Sequence, residues 1–329
     1  MTEATNLMKK AAGGLFPGSE GEQGAFLQAL LDPVPRGNAI VWTGTRRSGG
    51  LDTVDRATLP SWLPERIEVL RPGVKVGLTA AYESGEIYSL DLSSVITGSA
   101  MIAARAWLPD SPRVLDLCAA PGGKSILASV LLTPGLILAN EVEGKRLGML
   151  RHNLSRCRIA SAYTQRLDPE EIARLAPGGF DLCLVDAPCS GQSLLAKGIE
   201  NPGCFHPSTV KGNARRQSRI LAAAAETVRP GGFLLYTTCT FSQRENEGVI
   251  TKLLDVRGDF DVREVVHLAE FRSSLVDWPC YRVYPHGSGG AGGFAALLRR
   301  SGDGDKVNRE SLSPLSAPLL DYPVTVPAS

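Results

Sequence analysis

The sequence predicts an α/β protein: a doubly wound parallel sheet preceded by a smaller α+β unit. Two observations carry this. From Arg113 onward, apolar runs that read as buried strands alternate with helical stretches, the order that builds a parallel sheet covered on both faces. Before residue 90 the chain instead shows short strands broken by turns such as Trp62-Leu63-Pro64 and Arg71-Pro72-Gly73, with no such alternation.

Taken in order, residues 1–25 hold a Gly-rich patch and are expected to be a flexible N-terminus. Phe26–Leu31 reads as a helix end, broken by Pro33-Val34-Pro35-Arg36-Gly37, and Ala39–Trp42 as a short strand. Residues 26–98 form the expected α+β lead-in domain, and 99–300 the main domain, entered through a helical stretch around 91–107 that includes 99–106. Val114–Leu117 is its first strand, followed by a turn at Cys118–Lys124 and a helix over 126–132. Gly135–Glu141 is the second strand, with a helix over 144–156. Phe180–Asp186 and Gly232–Tyr236 are further strands around a helix over 213–228, and Phe294–Leu298 is a closing strand. The Ser- and Pro-containing tail, 301–329, is expected to be flexible.

With 43% apolar and 21% charged residues and no apolar run long enough for a membrane span, the chain belongs with soluble globular proteins. Its start lacks the regions of a signal peptide, so the expected address is cytoplasmic. The seven cysteines are odd in number and without repeating spacing, which argues against a disulfide framework. Without Cys-x-x-Cys or a histidine cluster, no metal site is expected. A net charge of +1 leaves a polyanionic partner open, since binding one needs only a local basic surface. The local candidates are Lys145, Arg146, Arg151, Arg156 and Arg158 in one stretch and Arg215, Arg216 and Arg219 in another.

The turn after the first main strand has the layout that presents backbone N–H groups to a ligand. Gly123-Lys124-Ser125 suggests a phosphate loop, but the glycine required five positions before Gly123 is Cys118, so that reading fails. A better template is Asp-x-Gly-x-Gly-x-Gly, found in methyltransferases that bind S-adenosylmethionine. Here it is Asp116, Cys118, Ala120 and Gly122, small residues that let a ligand approach the backbone. Glu141, 25 residues beyond Asp116 at the end of the second strand, can accept hydrogen bonds from both hydroxyls of a ribose.

Cys189, in Asp186-Ala187-Pro188-Cys189-Ser190-Gly191, and Cys239, in Thr237-Thr238-Cys239-Thr240, lie 50 residues apart. Each follows a buried strand, where an open parallel sheet places its site. Two thiols in one cleft suggest covalent chemistry. Spacing does not say which of them is the nucleophile. Cys157, Cys183, Cys204 and Cys280 are expected to be small apolar fillers, and Cys118 a small turn residue.

Asp116–Ser125, Asp186–Gly191 and Tyr236–Ser242, with Glu245-Asn246-Glu247, Pro285-His286 and Gly292-Gly293-Phe294, together resemble the Nop/Sun family of RsmB/RsmF-like RNA (cytosine-5) methyltransferases. Pro33–Arg36 and Tyr88–Ser94 are similar to that family's lead-in domain, so the likeness spans about residues 26–300. It implies a Rossmann-like class I S-adenosylmethionine methyltransferase sheet with a small N-terminal α+β RNA-binding domain. It also implies formation of 5-methylcytosine, in rRNA or tRNA. By motif position, Cys118, Ala119, Ala120, Pro121, Gly122, Gly123 and Lys124 line the cofactor site, Glu141 holds the ribose, Asp168 contacts the adenine and Arg146 supports the pocket. Lys124 is placed beside the methionine carboxylate.

Carbon 5 of cytosine is too electron-poor to attack a methyl sulfonium until a thiolate adds to carbon 6. The family gives that role to the Thr-Cys segment, here Cys239, and the breakdown of the adduct to Cys189. Asp186 is then the carboxylate between base and cofactor. The target cytosine must be unpaired to be reached, and a monomer is expected to suffice. Arg215, Arg216, Arg219, Arg46, Arg47 and Trp42 are candidate RNA contacts. After Gly191 the chain departs from many members with Gln192–Gly198, which suggests a different target loop. The competing readings are a non-catalytic RNA-binding scaffold and a methyltransferase of another nucleic-acid target.

Overall fold

In the computed structural model the described residues are 3–44, 50–287, 289–302, 315 and 317–326. Eight strands form the main sheet. Strands β4 (Arg113–Asp116), β5 (Leu136–Asn140), β6 (Ala162–Gln165), β7 (Phe180–Asp186) and β8 (Val228–Thr238) are mutually parallel. The antiparallel strand β11 (Gly293–Arg300) closes them, with β9 (Phe260–Arg263) and β10 (Tyr281–Val283) paired to its two halves. Their order is β10-β11-β8-β7-β4-β5-β6, with β9 also on β11. The doubly wound fold is thus the one expected. From β4 the chain winds outward to β5 and β6, then returns to β7 and β8 on the other side. The crevice beside β4 is therefore the topological switch point, where such sheets hold ligands.

Unbroken apolar runs become central strands because both faces are covered. Val114, Ile137, Leu182 and Leu235 pack on one side, and Leu115, Leu138, Cys183 and Leu234 on the other. Helix α6 (Gly144–Arg156) shows the opposite pattern, burying Leu147, Leu150 and Leu154 along one stripe. Helix α5 (Gly123–Leu132) starts at Gly122, whose φ of +115° is open to glycine at no steric cost. The helical stretch expected around 91–107 is present as α4 (Leu92–Ser99) followed by a 3-10 turn over Ala100–Trp107.

The lead-in domain is a three-stranded antiparallel sheet, with β1 (Ala39–Trp42) between β2 (Ile67–Val69) and β3 (Ile87–Leu90). Period-two alternation divides β1 cleanly. Ala39 and Val41 face the main domain's core, while Ile40 and Trp42 fill the small domain's own. Arg156 fastens the two domains: its guanidinium lies 4.0 Å over the Tyr82 ring and donates to the carbonyls of Tyr82 and Ile87.

Both ends of the chain differ from expectation. Helices α1 (Asn6–Leu15) and α2 (Glu20–Leu31) occupy the stretch read as flexible, and a boundary at residue 26 would cut α2 in two. Met8, Ala12, Leu15, Phe26 and Leu30 are buried against Leu195, Ala196 and Phe241 of the main domain. Burying each of the large ones, Met8, Leu15, Phe26 and Leu30, contributes about 1.5–3 kcal/mol, and together they outweigh the cost of about 1 kcal/mol for each glycine within the two helices. In the tail, Leu319 is buried. Tyr322 O accepts from Thr164 N and Val324 N donates to Ala162 O, so this segment covers the edge strand β6. No helix among the described residues is long and apolar enough to cross a membrane.

Candidate functional site

A cavity of about 650 Å³ opens at the C-terminal ends of β4, β5, β7 and β8. At one end the strand–turn–helix passage from Asp116 to Lys124 forms its wall. Asp116 is fully buried; Oδ2 accepts from Ser125 Oγ at 2.6 Å, and Oδ1 has no hydrogen-bond partner among the described residues. Burial pushes its carboxyl up to about 7, opposed by the Ser125 bond and reinforced by the nearby Asp186. Cys118 lines the cavity as a turn residue, and burial followed by the surrounding carboxylates pushes its thiol far up, away from reactivity.

Glu141 ends β5 with only 3% of its surface exposed. Oε1 accepts from Glu143 N at 3.0 Å. Oε2 stands 3.1 Å from Arg146 Nη1, yet accepts no hydrogen bond of good geometry. Arg146 also donates through Nη2 to Ala120 O at 2.6 Å, joining the acid to the turn. A buried, cation-neutralised carboxylate with open acceptor capacity suits paired ligand hydroxyls. Together with the small residues Ala119, Ala120 and Gly122, it fits the sugar and backbone-hugging parts of a nucleoside cofactor.

Asp168 also lines the cavity, but its Oδ1 is committed as the N-cap of α7 (Pro169–Leu175), accepting from Glu170 N. Oδ2 lies 3.4 Å from Arg219. Lys124, 6% exposed, extends from α5 to Asp186 Oδ2 at 3.2 Å, so its nearest charge is this aspartate. Thr237 Oγ1 donates to Asp186 Oδ1 at 2.9 Å. Asp186 is thereby fixed between the two ends of the cavity.

The two thiols meet at the other end. Cys189 Sγ and Cys239 Sγ are 3.1 Å apart, in hydrogen-bond contact. The contact allows either sulfur to donate. With Cys239 as the thiolate the Cys189 thiol is the donor, and that bond holds Cys239 below its ordinary value of 9.0, with Lys197 and Ser193 acting in the same direction, against burial and Asp186. Donating that bond, together with burial, raises Cys189 well above its own ordinary value. Of the two, Cys239 is the one held toward the thiolate; its residue keeps more exposed surface than Cys189, although its sulfur is enclosed enough for burial to oppose ionisation.

A buried polar clamp holds the two cysteine loops together. Glu245 accepts from Ser190 N (2.8 Å), Ser190 Oγ (2.6 Å) and Gln217 Nε2 (3.0 Å), and Ser190 Oγ also contacts Thr240 Oγ1 at 2.8 Å. Asn246 accepts from Thr238 Oγ1 and donates to Thr240 O. The sequence pattern brought out Glu245-Asn246-Glu247 but not this task. The available signal was a run of acidic and amide residues directly after a buried strand, where polar side chains must find partners.

Several other expectations are revised. The Gln192–Gly198 segment, read as a different target loop, is folded inward: Gln192–Lys197 is a 3-10 turn with Gln192, Ser193, Leu195 and Ala196 buried. Gln192 accepts from Phe241 N and donates to Cys204 O, strapping the turn to the Thr-Cys loop. Only its Leu194 and Lys197 reach the cavity. Trp42 is 4% exposed with its indole donating to Glu68, which rules it out as an RNA contact. Arg151, Arg156 and Arg158 are engaged in holding structure, on Thr164, on Tyr82 and Ile87, and on Ser84 O. Arg216 and Arg219 line the cavity, whereas Arg215 borders a different indentation. Arg46 and Arg47 lie outside the described residues. Cys157, Cys183, Cys204 and Cys280 are buried, as fillers should be.

The family model for 16S rRNA methyltransferase RsmB/F matches residues 107–299. The chain is 31% identical over 253 residues to the ribosomal RNA small subunit methyltransferase F of Erwinia tasmaniensis, covering 73% of this chain and 52% of that protein. It is 32% identical over 232 residues to the protein of the same name from Escherichia coli strain SE11, covering 69% and 47%. The chain thus spans about half the length of the curated relatives it matches. Among solved structures, a methyltransferase homologue from Pyrococcus horikoshii superposes with a TM-score of 0.70 at 24% identity, over 91% of this chain and 96% of that one. NSun6 from Pyrococcus horikoshii with SFG gives 0.69 at 19%, over 91% and 99%. These two likenesses show the shared fold.

Proposed function

The chain belongs to the RsmB/F family of 16S rRNA methyltransferases, and from that premise we propose that it forms 5-methylcytosine in RNA, through a covalent adduct between Cys239 and carbon 6 of the base. The observation that carries this reading is the contact of Cys189 and Cys239 at 3.1 Å, in the same cavity as Glu141, Lys124 and Asp186. A single reactive thiol would suit many reactions. A thiolate with a second, protonated thiol on its sulfur suits one that adds and must later leave.

S-adenosylmethionine, when bound, supplies an electrophilic methyl group. Glu141 would hold its ribose, with the 118–124 turn against the rest and Asp168 at the rim towards the base. Cys239, kept below the usual thiol range by the Cys189 hydrogen bond, adds its sulfur to carbon 6 of an unpaired cytosine. Carbon 5 becomes enamine-like and takes the methyl group. Asp186, oriented by Lys124 and Thr237, faces the base edge where charge gathers during addition. Elimination then breaks the sulfur–carbon bond, the carbon-5 proton passes to solvent and the ring double bond reforms. The departing sulfur is again a thiolate, and the Cys189 thiol is placed to stabilise it. The RNA is expected to be ribosomal, with transfer RNA as the alternative.

The test uses methyl-labelled cofactor with total RNA and, separately, DNA, followed by nuclease digestion of the products. Wild type should yield labelled 5-methylcytidine from RNA. Cys239→Ala should yield none, and Cys189→Ala should accumulate a protein–RNA adduct resistant to denaturing gels. Full activity in Cys239→Ala would overturn the nucleophile assignment, and labelling of DNA alone would overturn the substrate class.

A further inference from the structure

Helix α8 (Pro207–Thr227) carries basic residues that border two different concavities. Arg216 and Arg219 line the catalytic cavity. Lys211 and Arg215, four residues apart and so on one face, instead border a separate indentation of about 290 Å³. Across it stand Arg244 and Lys252, the latter on helix α9 (Glu247–Val256). The remaining lining residues are Ala214, Ser218, Gly248 and Val249, so no carboxylate shares the wall.

All four cations are exposed. Among the described residues none of them makes an ion pair or a side-chain hydrogen bond, whereas Arg229, Arg257, Arg282 and Arg300 elsewhere in this domain are each paired with an acid. Gathering four like charges without a counter-ion works against folding. It becomes favourable when an anion lies between them.

We propose that this indentation is a phosphate-binding site for the backbone of the RNA substrate, outside the catalytic cavity. The proposal rests on the methyltransferase reading above for the identity of its ligand. Position supports it: Arg215 of the indentation and Arg219 of the cavity are also four residues apart on α8, so the basic surface is continuous from one to the other. A strand whose cytosine enters beside Cys239 can run along this surface, meeting Arg216 and Arg219 first and then Arg215 and Lys211. Arg244 directly precedes Glu245, the centre of the clamp under both cysteines. Backbone contact there would be felt next to the reacting thiols.

The test measures binding of fluorescein-labelled single-stranded oligocytidylate against salt concentration. It compares wild type with the variant carrying Lys211→Ala, Arg215→Ala, Arg244→Ala and Lys252→Ala. A charge-matched control carries Lys9→Ala, Lys10→Ala, Arg174→Ala and Arg263→Ala, all exposed positions elsewhere. Each phosphate that is no longer neutralised should lower the slope of log affinity against log salt by about 0.7 on a single strand, so the site variant should fall by about 2–3 of slope in total. The control should fall much less, and both should bind S-adenosylhomocysteine as wild type does. An unchanged slope in the site variant, or an equal fall in the control, would overturn the site. Methyl transfer to RNA by wild type, measured in parallel, tells failure of the methyltransferase reading (no 5-methylcytosine) apart from failure of the site (product formed, slope unchanged).

Discussion

At one end of the cavity, the residues from Asp116 to Arg146 come from one continuous passage of strand, turn, helix, strand and helix. At the other, Cys189, Lys197, Cys239 and Gly292 come from separate stretches of the chain. The first end is shaped by local rules: a short strand, a glycine in the left-handed region and small residues against the backbone. The second has no local rule to shape it, and a buried network around Glu245 and Asn246 sets the distance between its thiols. Local construction makes a surface that tolerates change piece by piece. Long-range construction concentrates dependence on a few buried polar groups.

The largest expected effect lies at the thiol end. Cys239→Ala removes the only atom proposed to bond carbon 6, so methyl transfer should fall by at least ~10³-fold with cofactor affinity unchanged. Isothermal titration with S-adenosylhomocysteine checks the second half. A parallel loss of cofactor binding would show the two ends to be one unit and break the comparison.

Next is the clamp. Glu245→Ala leaves Ser190 and Gln217 without their acceptor in a buried site, which should destabilise the fold by about 2–4 kcal/mol, read as a lower urea midpoint. Glu245→Gln should be much milder, because its carbonyl oxygen can take the place of Oε2 and accept from Ser190 N and Gln217 Nε2, while its amide N–H donates to Ser190 Oγ. A midpoint like that of wild type in the Ala variant would mean that the clamp is not what spaces the thiols.

At the cofactor end, Glu141→Ala should weaken S-adenosylhomocysteine binding by about tenfold to a hundredfold, the worth of hydrogen bonds to a charged acceptor. The alkylation rate of Cys239 should stay as in wild type. If alkylation also slows, the separation of the two ends is less complete than their construction suggests.

The same contrast explains what the sequence could disclose. Asp116, the 118–124 turn and Glu141 were legible because strand, glycine turn and helix follow one another in the chain. The parallel strands were legible because burial on both faces leaves an unbroken apolar run. Cys189 and Cys239 could be singled out as residue types at strand ends, but their contact depends on β7 and β8 being neighbours, which no local pattern states. Arg156 and Trp42 misled for a related reason. A cation or an indole reads as a surface group until the domain against which it packs is known. The glycine content of residues 1–25 hid α1 and α2, whose order comes from Leu195, Ala196 and Phe241, far along the chain.

The smallest effect is a change of pH dependence, and it probes the thiol contact most directly. Cys239 is held below its ordinary 9.0 chiefly by the hydrogen bond from Cys189, with Ser193 and Lys197 adding to it and burial and Asp186 opposing. Only the thiolate is alkylated by iodoacetamide, so the rate of Cys239 labelling should rise with pH through that lowered midpoint. Cys189→Ala removes the leading contribution while leaving burial and Asp186 in place, so the midpoint must move upward. Cys189→Ser keeps an O–H donor at the same position and should fall between the two. Mass spectrometry of the labelled peptide separates Cys239 from the other thiols at each pH. If the midpoint did not move in Cys189→Ala, the 3.1 Å contact would be mere proximity. The ionisation of Cys239 would then have to come from Lys197 and Ser193, contributed by the 3-10 turn that follows Gly191.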